Sequence, residues 1–341
     1  MIVIHVAGNE KIGVGNLSRC KTLANELYRN GVNPIIMIYE STYEIAKEFL
    51  PMKGIDLIIV DSREKALIER KIVSDRFDDK TKVLVTDIYD LEENDERIAR
   101  RQGYNLLIHM NDSGIPQYNP DYMIDQEAFI KPWLKSSSIK FIRGSKYNLI
   151  KPEIGKLRPD RAWNKDKVEK VLLCFGGSDP GKCTETFMRD ISNNRELDNI
   201  KFNIVIGPGF TRKRRKFLNE CNYKNITLKR SPRDFNKIML ETDVIITSGG
   251  ITSYEGMCLG KPVLCVGWGN MKYYIEELDK MRLVKNLGDR DEAVRNLSLA
   301  VKSLEELKEI ASNGFSQVDN NGAKRISEYI KDLISDMGEE I

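Results

Sequence analysis

The stretch VIITSGGITSYEGMCLGKPVLCV, residues 244–266, reads as a strand, a glycine turn, a helix and a second strand. The apolar run Val244–Thr247 stops at Ser248-Gly249-Gly250, a helix opens at Thr252, and Gly260-Lys261-Pro262 ends it before Val263. Two strands joined through a helix cannot form a tight hairpin; they run parallel, with the helix on one face. Neither strand alternates polar with apolar residues, as expected when both faces of a sheet are covered.

The same rhythm extends outward in both directions. Towards the C-terminus follow a helix near 271–281, the strand "LVKNLG" and a helical tail from about 290. Towards the N-terminus lie "VLLCF", a helix at 183–193, "KFNIVIG", a helix at 212–221, "NITLKR" and a helix at 232–241. An earlier set begins at "IVIHVAG". There Leu17, Cys20, Leu23, Ala24 and Leu27 repeat at helical spacing, followed by "NPIIMIY", "DLIIVD", "KVLVTDIY" and "YNLLIHMND". Between about 113 and 165 the alternation fails in a stretch rich in Pro, Gly, Lys and aromatics. The expectation is an α/β chain of two Rossmann-like, parallel-sheet domains facing a cleft. Their boundaries are expected at 1–150 and 167–315, with a linker at 151–166 and a C-terminal helix, 316–341, folding back on the first domain.

Composition narrows the function classes. The chain has 341 residues and a net charge of only +3, so the molecule as a whole is not a polyanion binder. Its opening apolar run is too short for a signal peptide or a membrane span, and a cytoplasmic protein is expected. Six cysteines form no C-x-x-C pair and only two histidines occur, which argues against a disulfide framework and a zinc site. His5 and His109 fall within strands and read as core or edge residues.

Ligands of such sheets sit beyond the carboxyl ends of the strands, so loops that follow strands are the candidates. "KIGVGNLSR" offers Gly13, Gly15 and Asn16 at a helix mouth; Ser18 stands where a dinucleotide fingerprint needs glycine, which disfavours NAD. Asn16 is either a helix cap or a ligand contact. "CFGGSDPGK" brings Gly177 and Ser178 to a strand end, with Asp179 as a turn and cap residue in the bland reading. At Gly249, Gly250, Ile251 and Thr252, backbone N–H groups suit a pyrophosphate. Glu255 can accept from two ribose hydroxyls or close a Thr252–Glu255 capping box. Asp87, Tyr89 and Asp112 end strands and could bind sugar hydroxyls or serve as a general base; Asp61 reads as a helix cap. The basic run 211–217 reads as a solvated helix face.

Together these loops resemble the nucleotide-sugar hydrolase of pseudaminic acid biosynthesis, which cleaves UDP-2,4-diacetamido-2,4,6-trideoxy-β-L-altropyranose, and related spore-coat polysaccharide proteins. The resemblance rests on "KIGVGNLSRCKTLANEL", "VTDIYDLEE", "MIDQEA", "GSKYNLIKPEI", "VLLCFGGSDP", "SGGITSYEGMCLGKPVLCV" and "WGNMKYYIEEL", in that order. The C-terminal half also looks like the peptidoglycan N-acetylglucosaminyltransferase. The resemblance implies a GT-B architecture and a UDP-sugar substrate, with no cofactor or metal, no nucleic acid and no membrane span. It implies that Gly249, Gly250, Ile251, Thr252 and Glu255 hold UDP, with Gly177 and Ser178 near the phosphates. Gly13, Gly15, Asn16, Arg19 and Asn270 fall on the sugar side.

One departure bears on the chemistry. Where the resembling hydrolase places its catalytic histidine, this chain has Asn16, whose amide takes no proton at useful pH. Asn16, Asp87, Tyr89 and Asp112 are the catalytic candidates. The expected activity is cleavage of the anomeric C–O bond with release of UDP. A GT-B glycosyltransferase is the alternative, and a non-catalytic nucleotide-sugar binder the second alternative.

Overall fold

The computed structural model describes residues 1–339 except 9–14, 48–49, 51–53, 90, 111–118, 133–138 and 221–222; the side chains of 45, 46 and 339 are also left undescribed. Gly13, Asp112 and Cys221 therefore lie outside the described residues. The chain forms two compact units, Met1–Leu149 with Asn321–Ile341, and Ile150–Asn320.

The first unit contains β1 (Ile2–Val6), α1 (Gly15–Arg29), β2 (Pro34–Tyr39), α2 (Glu40–Ala46), β3 (Asp56–Val60), α3 (Arg63–Arg76) and β4 (Val83–Asp87). It continues with α4 (Asp95–Arg101), β5 (Leu106–Met110), β6 (Tyr122–Asp125) and β7 (Lys140–Arg143). All seven strands are parallel, in the order β3-β2-β1-β4-β5-β6-β7. The direction of strand addition reverses between β1 and β4, the switch point where open α/β sheets bind ligands. Strands β6 and β7 lie in the stretch where the sequence rhythm fails. Each has four residues, too few for a periodic signal.

The second unit holds α5 (Pro152–Gly155), β8 (Lys170–Leu173), α6 (Cys183–Ser192), β9 (Lys201–Ile206), α7 (Arg212–Glu220), β10 (Ile226–Arg230) and α8 (Phe235–Glu241). Then come β11 (Val244–Thr247), α9 (Ile251–Cys258), β12 (Val263–Gly267), α10 (Met271–Lys280), β13 (Lys285–Asp289), α11 (Ala293–Ala300) and α12 (Leu304–Gln317). Its six parallel strands run β10-β9-β8-β11-β12-β13, with the switch point between β8 and β11.

Segment 151–166 is packed within this second unit. Arg158 donates to the carbonyls of Cys258 (2.8 Å), Val318 (2.6 Å) and Phe315 (2.7 Å), collecting helix-end carbonyls of α9 and α12. Trp163 N–H donates to Gly260 O at 2.8 Å.

The last helix, α13 (Gly322–Glu339), belongs to the first unit. Ala323, Ile326 and Ile330 join the core formed by Leu17, Cys20, Ala24 and Leu27 of α1. Asn30 Nδ2 donates to Ser327 Oγ at 2.9 Å, and Arg325 to Lys146 O at 2.8 Å. Gly322 starts the helix against the Asn148 carbonyl, where any Cβ would collide with backbone.

His5, on β1, is a core residue. Its ring nitrogens have no hydrogen-bond partner among the described residues, and burial, helped by Arg70, brings its pKa from 6.5 down to about 3. The unfolded chain takes up this proton below about pH 6.5 and the folded chain only near pH 3. Stability of the first unit should therefore fall by up to about 1.4 kcal/mol per pH unit on acidification through that window. His5→Leu should flatten the decline in a series of thermal melts; an unchanged slope would assign it to other groups.

Candidate functional site

In the second unit, both glycine loops named by the sequence leave the carboxyl ends of the switch-point strands β8 and β11. After β8 the chain turns through Gly176 (φ +80°), Gly177 and Ser178 to Asp179 (φ +45°). Gly209 N–H donates to Gly177 O at 2.9 Å. Gly207 and Gly209 approach this loop so closely that a Cβ on either would strike Gly177 or Ser178.

The Asp179 carboxylate is buried and serves the first turn of α6, accepting from Cys183 N and Thr184 N, each at 2.9 Å. Arg214 of α7 completes the support. It donates to Asp179 Oδ2 (2.9 Å), to the carbonyls of Ser178 (2.8 Å) and Asp179 (3.1 Å), and to both Glu185 oxygens (2.5 and 2.7 Å). Burial pushes the Asp179 carboxyl up, against the pull of the two backbone N–H groups and Arg214. Glu185 is held below its usual range; burial opposes this, and the Arg214 hydrogen bonds prevail. The basic run is thus not solvated throughout. Arg214 turns inward with Leu218, four residues on, because those two positions share the buried face of α7.

After β11, Gly249 adopts φ +84°, and a Cβ there would stand 2.9 Å from Ile275 Cγ1. Gly250 is the exposed N-cap of α9, with open space around it. It has no side chain to cap the helix; Ser253 N–H donates to Gly250 O at 2.9 Å, and the N–H groups of Ile251 and Thr252 keep their hydrogen-bonding capacity for an external acceptor. The Thr252–Glu255 capping box does not form, because Thr252 is already inside the helix. Glu255 points elsewhere: its carboxylate is buried and pairs with Lys151 Nζ at 3.1 Å, while the Lys151 side chain is 34 % exposed. Glu255 beside it raises the Lys151 pKa, so the ammonium persists. Lys151 was not a sequence candidate; the signal available was its place in "NLIKPEI", just ahead of a Pro-initiated turn of helix. Asn270 is the exposed N-cap of α10, without a side-chain cap bond.

In the first unit, Asp87 ends β4 opposite Val6 of β1. Arg19 grips it with two bonds, Nε to Oδ2 (2.7 Å) and Nη2 to Oδ1 (2.6 Å), and Cys20 Sγ lies 3.3 Å from Oδ2. Bidentate geometry of this kind fixes both groups. Asn16 is in the first turn of α1 rather than at its cap. Tyr89 donates from its hydroxyl to Asn16 Oδ1 at 3.3 Å, and the buried Asn16 Nδ2 has no acceptor among the described residues. Tyr89 itself is exposed. The fold thus brings Asn16, Arg19, Asp87 and Tyr89 together. His109 Nδ1 lies 3.0 Å from Thr86 Oγ1, one strand away. Asp61 does not cap α3; Ser62 does, accepting from Lys65 N at 3.3 Å.

No cysteine among the described residues is a candidate nucleophile. Cys20, Cys174, Cys183, Cys258 and Cys265 are buried, and burial pushes all five thiols up, Cys174 to about 11. No group of His, Cys, Asp and Glu among the described residues could hold a metal ion, and no described helix is long and apolar enough to cross a membrane.

No family model matches the chain. It is 26 % identical over 307 residues to an uncharacterized protein, MJ1062, of Methanocaldococcus jannaschii, covering 83 % of this chain and 60 % of that one. It is 23 % identical over 203 residues to the spore coat polysaccharide biosynthesis protein SpsG of Bacillus subtilis, covering 57 % of this chain and 59 % of that one. The matches thus span about three-fifths of each relative's length. Among solved structures it is similar to MurG of Acinetobacter baumannii (TM-score 0.64, 13 % identity, 97 % and 99 % of the two chains). It is also similar to the UDP-GlcNAc 2-epimerase of Neisseria meningitidis bound to UDP-GlcNAc (TM-score 0.65, 14 % identity, 97 % and 100 %). The fold is GT-B. It consists of two Rossmann-like units with parallel sheets.

Proposed function

We propose that the chain is a nucleotide-sugar enzyme that takes a UDP-sugar and breaks its anomeric C–O bond with UDP as leaving group. The observation that carries this reading is the mouth of α9. An uncapped helix N-terminus follows Gly249-Gly250 at a switch point, with the buried Glu255 and its part-exposed partner Lys151 one turn inside. Such a mouth stabilises the charge that develops on a departing pyrophosphate. The likeness to the spore coat protein and the UDP-GlcNAc-bound epimerase supports the same substrate class.

The nucleotide is assigned to Gly177, Ser178, Gly249, Gly250, Ile251, Thr252 and Glu255. In the first unit, Gly13, Gly15, Asn16 and Arg19 are assigned to the sugar, with Asn16, Asp87, Tyr89 and Asp112 as catalytic candidates; Asn270 of the second unit is assigned to the sugar separately. No cofactor or metal is required by this scheme. Attack by water gives the free sugar, UDP and a proton, the reaction of the pseudaminic acid pathway hydrolase that the sequence resembles.

A specific observation favours transfer as the second reading. Asn16 already accepts from Tyr89, so its free group is a donor, and both Asp87 oxygens are held by Arg19. Neither is arranged to take a proton from water, and an acceptor that brings its own nucleophile would relieve that need. UDP release from a panel of UDP-sugars, with and without cell extract, separates the readings. Release without extract supports hydrolysis, release only with extract selects transfer, and none in either condition overturns both. Asn16→His is expected to raise hydrolysis by about 10²-fold or more, the usual worth of a general base. Unchanged release would show that the base is elsewhere.

A further inference from the structure

The modest net charge of the chain conceals a strong segregation. Between Lys201 and Lys237 there are eleven Lys or Arg residues and two acidic ones, Glu220 and Asp234, for a net +9. The whole chain carries +3, so the remainder is −6. This segment is β9, α7, β10 and the start of α8, and β10 is an edge strand of the second sheet. The positive charge therefore gathers on one flank of one unit.

Most of it faces solvent. Lys201, Arg212, Lys213, Arg215, Lys216, Lys224, Arg230, Arg233 and Lys237 are exposed. Lys216 and Lys237 have only long ion pairs along their own helices, at 3.9 and 3.7 Å. Among the described residues, Arg212, Lys213, Lys224 and Arg233 have no carboxylate within 4.0 Å. Concentrating like charges in this way costs self-repulsion, which a partner of opposite charge would relieve.

Within the patch, α7 has an unusual face. Arg214 and Leu218 anchor it inward, which holds Arg212, Lys213, Arg215 and Lys216 outward, and Phe217 among them is 53 % exposed. Cations around one protruding aromatic ring suit a surface with anionic headgroups over an apolar layer. Single-stranded nucleic acid calls instead for a series of stacking rings, and Phe217 is the single exposed large hydrophobic residue between Lys201 and Lys237 among the described residues.

We propose that the β9–α7–β10 flank docks the protein on anionic lipid bilayers, with Phe217 entering the interface and the surrounding Lys and Arg residues engaging the headgroups. The interaction is peripheral and does not depend on the activity proposed above.

Co-sedimentation of the full chain with vesicles tests it, using phosphatidylcholine alone or mixed with phosphatidylglycerol. Binding is expected only to the mixed vesicles, weakening as salt rises. The triple variant R212E/K213E/K216E should lose about 100-fold or more in partitioning, at roughly tenfold or less for each cation removed and more for each reversed. Phe217→Ser should lose several-fold while keeping the salt dependence. Thermal melts and UDP titrations of the same variants should match wild type, which separates loss of docking from misfolding or loss of the nucleotide site. No binding to the mixed vesicles, equal binding to both kinds, or wild-type partitioning by the triple variant would overturn the proposal. Binding of duplex DNA through the same residues with no vesicle binding would replace it with a nucleic-acid surface.

Discussion

Glu255→Ala is expected to weaken UDP binding by at least about tenfold in calorimetry and to destabilise the second unit. Glu255 is enclosed at the mouth of α9 and is paired with Lys151 at 3.1 Å. Removing one member of such a pair strands the other. For fully buried pairs the cost is about 3–5 kcal/mol; here about 2 kcal/mol is expected, because the Lys151 side chain is a third open to water. The double variant E255A/K151M separates the two effects. Methionine carries no charge to strand, so most of the stability should return, while the loss of UDP affinity should remain. If UDP affinity is unchanged in both variants, Glu255 is a structural anchor and the nucleotide assignment fails at that residue.

Arg214→Ala should have the larger effect on stability, about 3–4 kcal/mol. One guanidinium satisfies Asp179, Glu185 and two carbonyls of the 178–179 turn, and it lies over the Phe210 ring. Without it Asp179 remains buried, with only two backbone N–H groups to offset its charge. Acid sensitivity should change with it. Glu185 is held below its normal range in part by Arg214, so in wild type it contributes stability that is lost as pH falls through its lowered folded pKa. That contribution should vanish in the variant, which chemical denaturation at two pH values would show. Arg214→Lys should recover only part of the loss, since an ammonium cannot serve four acceptors in the planar geometry of a guanidinium. A variant as stable as wild type would mean that the Asp179 backbone bonds and the close contacts of Gly207 and Gly209 hold the turn without Arg214.

The two helix-mouth loops were readable from local sequence because strand, glycine and helix signals are all short-range. Gly249 and Gly250 follow an apolar run and precede a helical pattern, and they occupy that place in the fold. The same reasoning could not separate a ribose contact from a capping box at Glu255, because both share one spacing. The box is absent because Gly250 is the cap and Thr252 lies inside the helix, and the carboxylate pairs with Lys151, more than a hundred positions earlier. Arg214 was hidden for a related reason. Within five consecutive basic residues, composition carries no mark of which one turns inward; that depends on the Asp179 turn against which α7 packs. Strands β6 and β7 are not legible in the sequence because four residues in an irregular stretch carry too little pattern; pairing of β6 with β5, and of β7 with β6, defines them instead.

By itself the sequence determined the alternation of parallel strands and helices, the two glycine loops, and the presence of an amide in place of an imidazole at position 16. These are properties of neighbouring residues: period, backbone freedom and side-chain chemistry. Only the tertiary structure decided that Arg19 locks Asp87, that Tyr89 occupies the Asn16 carbonyl oxygen, and that Lys151 neutralises Glu255. Each of these joins residues distant in sequence. Their partners are chosen by burial, which makes an unpaired charge or amide costly and selects the one arrangement in which nearby groups offset that cost.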